Sequence, residues 1–163
     1  MARNRTISEG VRAGLLGAGA VALWFLGVDL ITGRAFHTPA VLGESLLGLV
    51  GLTRNGSMFN YVALYTVWHV VTFVLLGIVV AWIINASERE PSALVGLFFL
   101  FLAFELGFHL YVYTLSLRGQ SVDIAWYQIG AANLLAALVM GRYLFRAHPG
   151  ALHQLNEALA GRT

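Results

Sequence analysis

The sequence predicts an all-α membrane protein: a four-transmembrane-helix antiparallel bundle with a short interfacial helix between the first two spans. Three observations carry this. Hydrophobic residues make up 58% of the 163 and charged residues only 11%, where a soluble domain carries about a quarter. Mean hydropathy is +0.75. Four apolar stretches are each long enough to cross a hydrocarbon core, which takes about 20 residues of helix. The length leaves room for one integral membrane domain, 1–163.

Composition also excludes chemistry. With no Cys, structural disulfides, zinc-thiolate sites, c-type haem attachment and thiol redox reactions are ruled out. All ten basic residues are Arg, so no lysine is available for a Schiff base. The net charge of +2 comes from arginines scattered at span ends, which argues against nucleic acid as a partner.

Span one runs from about Ile7 to Ile31. Thr6 and Glu9 have the spacing of a capping box, which favours a helix start there. Arg3 and Arg5 before an apolar run, Ala13 to Val28, also suit a signal peptide. Gly33-Arg34-Ala35 is a poor cleavage site and the run exceeds an ordinary h-region, so retention as a span is expected. In the connection 32–60, Thr38-Pro39 supplies an N-cap and an N1 proline, predicting a helix over 39–50. Twelve residues are too few to cross, so this helix is expected to lie in the interface.

Span two covers about Tyr61 to Ile84, and the short polar link Asn85 to Pro91 turns the chain into a helical hairpin. Span three covers about Ser92 to Ser116. A second short link contains Arg118 and Ser121, the latter an expected cap for span four, about Val122 to Phe145. The tail 146–163 keeps Leu152, Leu155 and Leu159 on one helical face, which predicts a short surface helix. Glu88, Arg89, Glu90, His148 and His153 read as solvated groups.

Seven arginines (Arg3, Arg5, Arg12, Arg89, Arg142, Arg146 and Arg162) fall on one side of these spans. Arg34, Arg54 and Arg118 fall on the other. The positive-inside rule then puts both termini in the cytoplasm of a bacterial inner (plasma) membrane.

Inside the spans lie ionisable residues, which are costly in lipid and often mark function. At 1.5 Å per residue, His69 lies about 13 Å and His109 about 10 Å below the outer ends of their spans, with Glu105 and Asn133 each about 16 Å below theirs. Glu105 and His109 share a helical stripe at i, i+4 spacing. The stripe Trp126, Gly130, Asn133, Ala137 and Gly141 on span four, like Ala13, Gly14, Gly17 and Ala18 on span one, has small residues that permit close helix approach. The expectation is that His69, Glu105 and His109 converge in the outer half of the bundle.

Such a cluster suits a metal ion held by His69, Glu105 and His109, or a b-type haem between His69 and His109. Asp29, Tyr65 and Asn133 are candidate outer partners of these ligands, with His37 a further candidate. Arg34, Arg54 or Arg118 would meet haem propionates. The plainer alternative is a packing network in an accessory subunit of a larger bacterial redox or photosynthetic complex, associated with other membrane subunits or with itself. A small proton-coupled carrier using Glu105 is a third reading, disfavoured by the absence of an inverted repeat.

The segment Asp29-Leu-Ile-Thr-Gly-Arg-Ala-Phe-His-Thr-Pro-Ala-Val-Leu-Gly resembles a stretch of uncharacterised bacterial four-span integral membrane proteins. The resemblance implies a span end, a turn and a short helix, and brings no activity, cofactor or site with it.

Overall fold

The computed structural model describes residues 2–49, 51, 56–117 and 124–160, with the side chains of 2, 3, 158 and 159 left aside. These residues form six α-helices and no strand: α1 (Ala2–Ile31), α2 (His37–Leu49), α3 (Met58–Ser87), α4 (Leu94–Leu117), α5 (Trp126–Ala147) and α6 (Pro149–Leu159). Four segments are long and apolar enough to cross a membrane: Asn4–Ile31, Met58–Ser87, Pro91–Leu117 and Trp126–Ala147. The third includes a 3-10 turn at Pro91–Ala93 that opens α4, where proline suits a first turn lacking N–H partners. Arg54, Arg118, Arg162, Ser121 and Val122 lie outside the described residues.

Several helix ends differ from expectation. The Thr6–Glu9 capping box does not form, because α1 already begins at Ala2 and both residues sit inside it. The end of α1 is a Schellman arrangement. Arg34 N–H donates to Asp29 O (2.8 Å) and Gly33 N–H to Leu30 O (3.1 Å). Gly33 has φ 71°, the left-handed conformation that glycine adopts without a Cβ clash. Then α2 starts at His37, two residues before the predicted Pro39, and Asp29 rather than the Thr38 side chain serves its N-terminus. The Asp29 carboxylate accepts from Thr38 N (2.8 Å) and from Thr38 Oγ1 (2.7 Å). A buried carboxylate at a helix start meets unpaired N–H groups and the positive end of the dipole.

The order of contacts fixes the topology. Along α1, Gly10 faces Ile78, Gly14 faces Val74, and Ala18 meets His69, so α1 and α3 run antiparallel. Glu9 meets His148 and Gly17 meets Met140, which makes α5 antiparallel to α1. Ile83 beside Gly96, with Phe73 against Phe104, sets α4 antiparallel to α3. The first and last helices therefore meet at one end, and α2 lies at the other.

Close approach of backbones holds α1 to α3. A Cβ built on Gly10 would lie 2.5 Å from Ile78 Cα, one on Gly14 2.6 Å from Val74 Cα, and one on Gly77 2.6 Å from Gly14 N. The small-residue stripe of α1 thus does what its composition suggested. The α5 stripe does not: a Cβ on Gly141 would meet only Phe145 at 3.9 Å, and one on Gly130 only Glu105 Oε1 at 3.4 Å. Glycine at 130 leaves room for a side chain, not a backbone.

The buried core is Ala13, Ala18, Val21, Phe25, Phe73, Ala81, Ile84, Ile129, Ala132, Ala136, Met140 and Leu144 of α1, α3 and α5, joined by Ala151 of α6. By contrast, Leu115 is the one buried residue of α4 among those described. That helix packs loosely on α3 and α5.

The packing predicts a contrast between two glycines of one helix. Gly14→Ala should destabilise the protein by about 1–3 kcal/mol through overpacking. Gly19→Ala, whose Cβ would meet nothing within 4 Å, should be neutral or slightly stabilising. Thermal unfolding in detergent, followed by helical circular dichroism, separates the two.

Candidate functional site

The residues expected to form one cluster occupy two places. His69 is buried on α3, facing α1. Its Nε2 lies 3.2 Å from the carbonyl oxygen of Ala18. A carbonyl only accepts, so Nε2 carries the proton and a neutral ring keeps its lone pair on Nδ1. Tyr65 stacks on the imidazole one turn before it (centroids 5.5 Å apart), and Phe73 lies one turn after it (4.7 Å).

Glu105 and His109 stand on α4, turned towards α5. Asn133 Nδ2 donates to Glu105 Oε2 at 2.6 Å. His109 Nδ1 donates to the Glu105 carbonyl at 2.9 Å and lies 3.6 Å from its Oε1. Its side chain is 36% exposed and that of Glu105 20%. His109 therefore also has its tautomer set by a backbone carbonyl, with the lone pair on Nε2.

The structure thus brings Glu105, His109 and Asn133 together, and brings Tyr65 to His69, but does not join these groups into one centre. Among the described residues, no group of three His, Asp or Glu side chains is arranged to hold a metal ion. Each imidazole finds a nearer partner in a backbone carbonyl, as buried polar groups in membrane helices commonly do. Asp29 is spent on Thr38. His37 pairs with Arg34, whose Nη1 lies 3.4 Å from His37 Nε2.

Between the two polar groups lies a cavity of about 440 Å³. Four helices build most of its wall: Phe25 from α1, Trp68, His69 and Phe73 from α3, Phe104, Phe108 and Tyr111 from α4, and Ile129 and Asn133 from α5. Leu46 and Leu49 of α2 close one side. It exists because α4 stands off from α3, and small residues, Ala103 and Gly107, face it from α4. A second cavity of about 360 Å³ lies between α1, α2 and α3 and shares Val21, Phe25, Tyr65 and His69 with the first. His69 thus borders both. The Tyr111 hydroxyl is buried and has no hydrogen-bond partner among the described residues. These volumes fall within the range of small-molecule sites, about 300–1,000 Å³.

At the opposite end lies a polar cluster that joins His148 and Glu88, which the sequence reads as solvated, to Glu9, which it reads as half of a capping box. His148, at the junction of α5 and α6, is 7% exposed. Its Nδ1 lies 2.9 Å from Glu88 Oε1 and its Nε2 3.0 Å from Glu9 Oε2. Arg5 Nε donates to Glu9 Oε1 at 2.9 Å. Both carboxylates accept, so the ring serves them together only as the imidazolium. This cluster ties α1, the end of α3 and the start of α6 together. Depth counted from the span ends nearest the termini puts Glu9, Glu88 and His148 in one layer.

Set against known proteins, the chain matches no family model, no curated protein and no solved structure.

Removing the imidazole should be costly, because it leaves two carboxylates facing each other. His148→Ala is expected to lower stability by roughly 3 kcal/mol, the cost of breaking a buried pair. Glu88→Ala should cost less, since the Glu88 side chain is 38% exposed and an exposed partner contributes about 0–1 kcal/mol. Paired denaturation curves of the two variants check the order.

Proposed function

We propose that this is a multi-pass protein of a bacterial inner membrane, with both termini cytoplasmic, that binds a small membrane-soluble molecule in the cavity beside His69. One observation carries the ligand reading. A cavity of about 440 Å³ is walled mostly by aromatic and aliphatic side chains and borders a histidine that keeps a lone pair. A pocket that is mostly apolar with a few convergent polar groups is the usual form of a ligand site. The placement of the membrane rests on four apolar helices and on the seven-to-three division of arginines in the sequence. In this frame α2 lies at the outer surface and the His148 cluster at the inner one.

A second reading draws on the tautomers. Both His69 and His109 give one ring N–H to a backbone carbonyl, as ligating histidines commonly do. A b-type haem or a metal ion would then be bound through His69 Nδ1 or His109 Nε2, with Glu105 as a possible carboxylate ligand.

Two measurements test these readings. Protein purified in mild detergent from its own membrane should yield a stoichiometric neutral lipophilic molecule on solvent extraction, and Gly107→Leu, which fills the cavity, should lose it. Empty wild-type protein would end the ligand reading. The second reading predicts a haem absorbance or stoichiometric metal that His69→Ala or His109→Ala removes, and colourless, metal-free protein would end it. Reporter fusions at the C-terminus and after Arg118 should report cytoplasmic and external locations respectively. An external C-terminus would reverse the proposed orientation.

A further inference from the structure

At the end of the molecule where the first and last helices meet, a shallow groove of about 460 Å³ runs between α1 and α5. Its wall is Leu16 of α1 and Arg142, Tyr143, Arg146 and Ala147 of α5. Arg142 and Arg146 stand at i, i+4 spacing on one helix face, and both are exposed. Arg12 of α1 is exposed as well and lies one turn before Leu16 on the same stripe. Glu9 opposite His148 and Gly17 opposite Met140 set the register of the two helices. That register puts Arg12 level with Phe145, between the two α5 arginines in depth.

These cations find no anion in the protein. Among the described residues, the guanidinium groups of Arg12, Arg142 and Arg146 make no hydrogen bond and no ion pair. The neighbouring carboxylates are engaged with each other's partners: Glu9 accepts from Arg5 and His148, and Glu88 from His148. Depth makes the lack costly. Arg142 lies five residues, about 7.5 Å, inside the end of α5, within the apolar segment Trp126–Ala147. Its apolar stem can extend towards the boundary, but a charge placed there ordinarily pairs or marks a binding site. The anion comes from outside the chain.

Two features select its class. Guanidinium groups match the oxygens of a phosphate, donating in pairs. Beside them the groove is apolar, with Leu16, Ala147 and the half-buried Tyr143 ring. Cationic and apolar surface at one level near a span end suits a phosphate that carries acyl chains, and basic pockets between membrane helices hold anionic headgroups in this way. Arginines around one groove also repel a headgroup bearing its own ammonium, so a net-negative lipid is favoured over a zwitterionic one.

We propose that the groove between α1 and α5 binds the phosphate of an anionic phospholipid, with Arg142 and Arg146 donating to its oxygens. Arg12 adds attraction from α1, and Leu16 and Tyr143 give the acyl chains a surface to lie on. The assignment rests on the reading of the four apolar helices as membrane spans and is independent of the cavity beside His69.

The test titrates the full-length protein in a neutral detergent with phosphatidylglycerol, or with phosphatidylcholine of the same acyl chains, and counts bound lipid by native mass spectrometry. One phosphatidylglycerol per chain should be held about tenfold more tightly than phosphatidylcholine. Arg142→Gln and Arg146→Gln should each weaken it about tenfold, the equivalent of one charge-assisted hydrogen bond, and either variant serves alone if the other does not fold. Arg89→Gln removes an exposed charge outside the groove and should leave binding unchanged. Inorganic phosphate at the concentration of the lipid should not displace it.

Equal retention of the two lipids would overturn the proposal. So would equal losses in Arg142→Gln, Arg146→Gln and Arg89→Gln, the mark of diffuse attraction to surface charge. Displacement of the lipid by inorganic phosphate would assign the groove to a free anion instead. Wild-type protein recovered in aqueous buffer without detergent would remove the membrane reading itself, and the proposal with it.

Discussion

The contact between α1 and α3 is the constraint on which the rest of the molecule depends. In lipid, two apolar helices gain little by hiding hydrophobic surface from each other, so association relies on close packing and on hydrogen bonds. Gly10, Gly14 and Gly77 supply the first by letting two backbones touch where any Cβ would collide. That register brings the Ala18 carbonyl opposite His69 and seats Met140 of α5 against Gly17. At its two ends α1 is held by charge: Glu9 to His148 on one side, Asp29 to the start of α2 on the other.

Three helices drawn together this tightly leave the fourth with little to bury. The α4 helix offers long aromatic and aliphatic side chains, with Phe98, Phe99, Leu106, Leu110 and Tyr113 all exposed, and its firm polar tie to α5 is the Glu105–Asn133 bond. On the side facing α3, α4 presents the small residues Ala103 and Gly107, which do not fill the space. The gap on the α3 side of α4 is the cavity. It lies towards the α2 end of the molecule, where Leu46 and Leu49 close the side away from the termini.

Much of this fold was legible before any coordinates. Apolar runs bounded by Asn85 to Pro91, or ending at Gly33, mark helices by length and by breakers, and the helices observed lie within a few residues of those predicted. The candidate site was legible only in part. Helical periodicity tells which residues share a stripe, so the Glu105–His109 pair and its depth beside Asn133 were correctly grouped. It does not tell which neighbour a stripe faces. His69 shares a depth with His109, yet looks towards α1, because the glycines of α1 bring a carbonyl within its reach. His148 was hidden for a related reason. It follows α5 and adjoins Pro149, where exposure is the ordinary expectation, and its partners are 60 and 139 residues away in the chain.

The central question is whether α4 stands off from α3 around a bound molecule. An experimental structure of the wild-type protein in native lipid measures this directly. The prediction is non-protein density between Phe104, Phe108 and Trp68. A structure in which α4 closes onto α3 and side chains fill the cavity would contradict it.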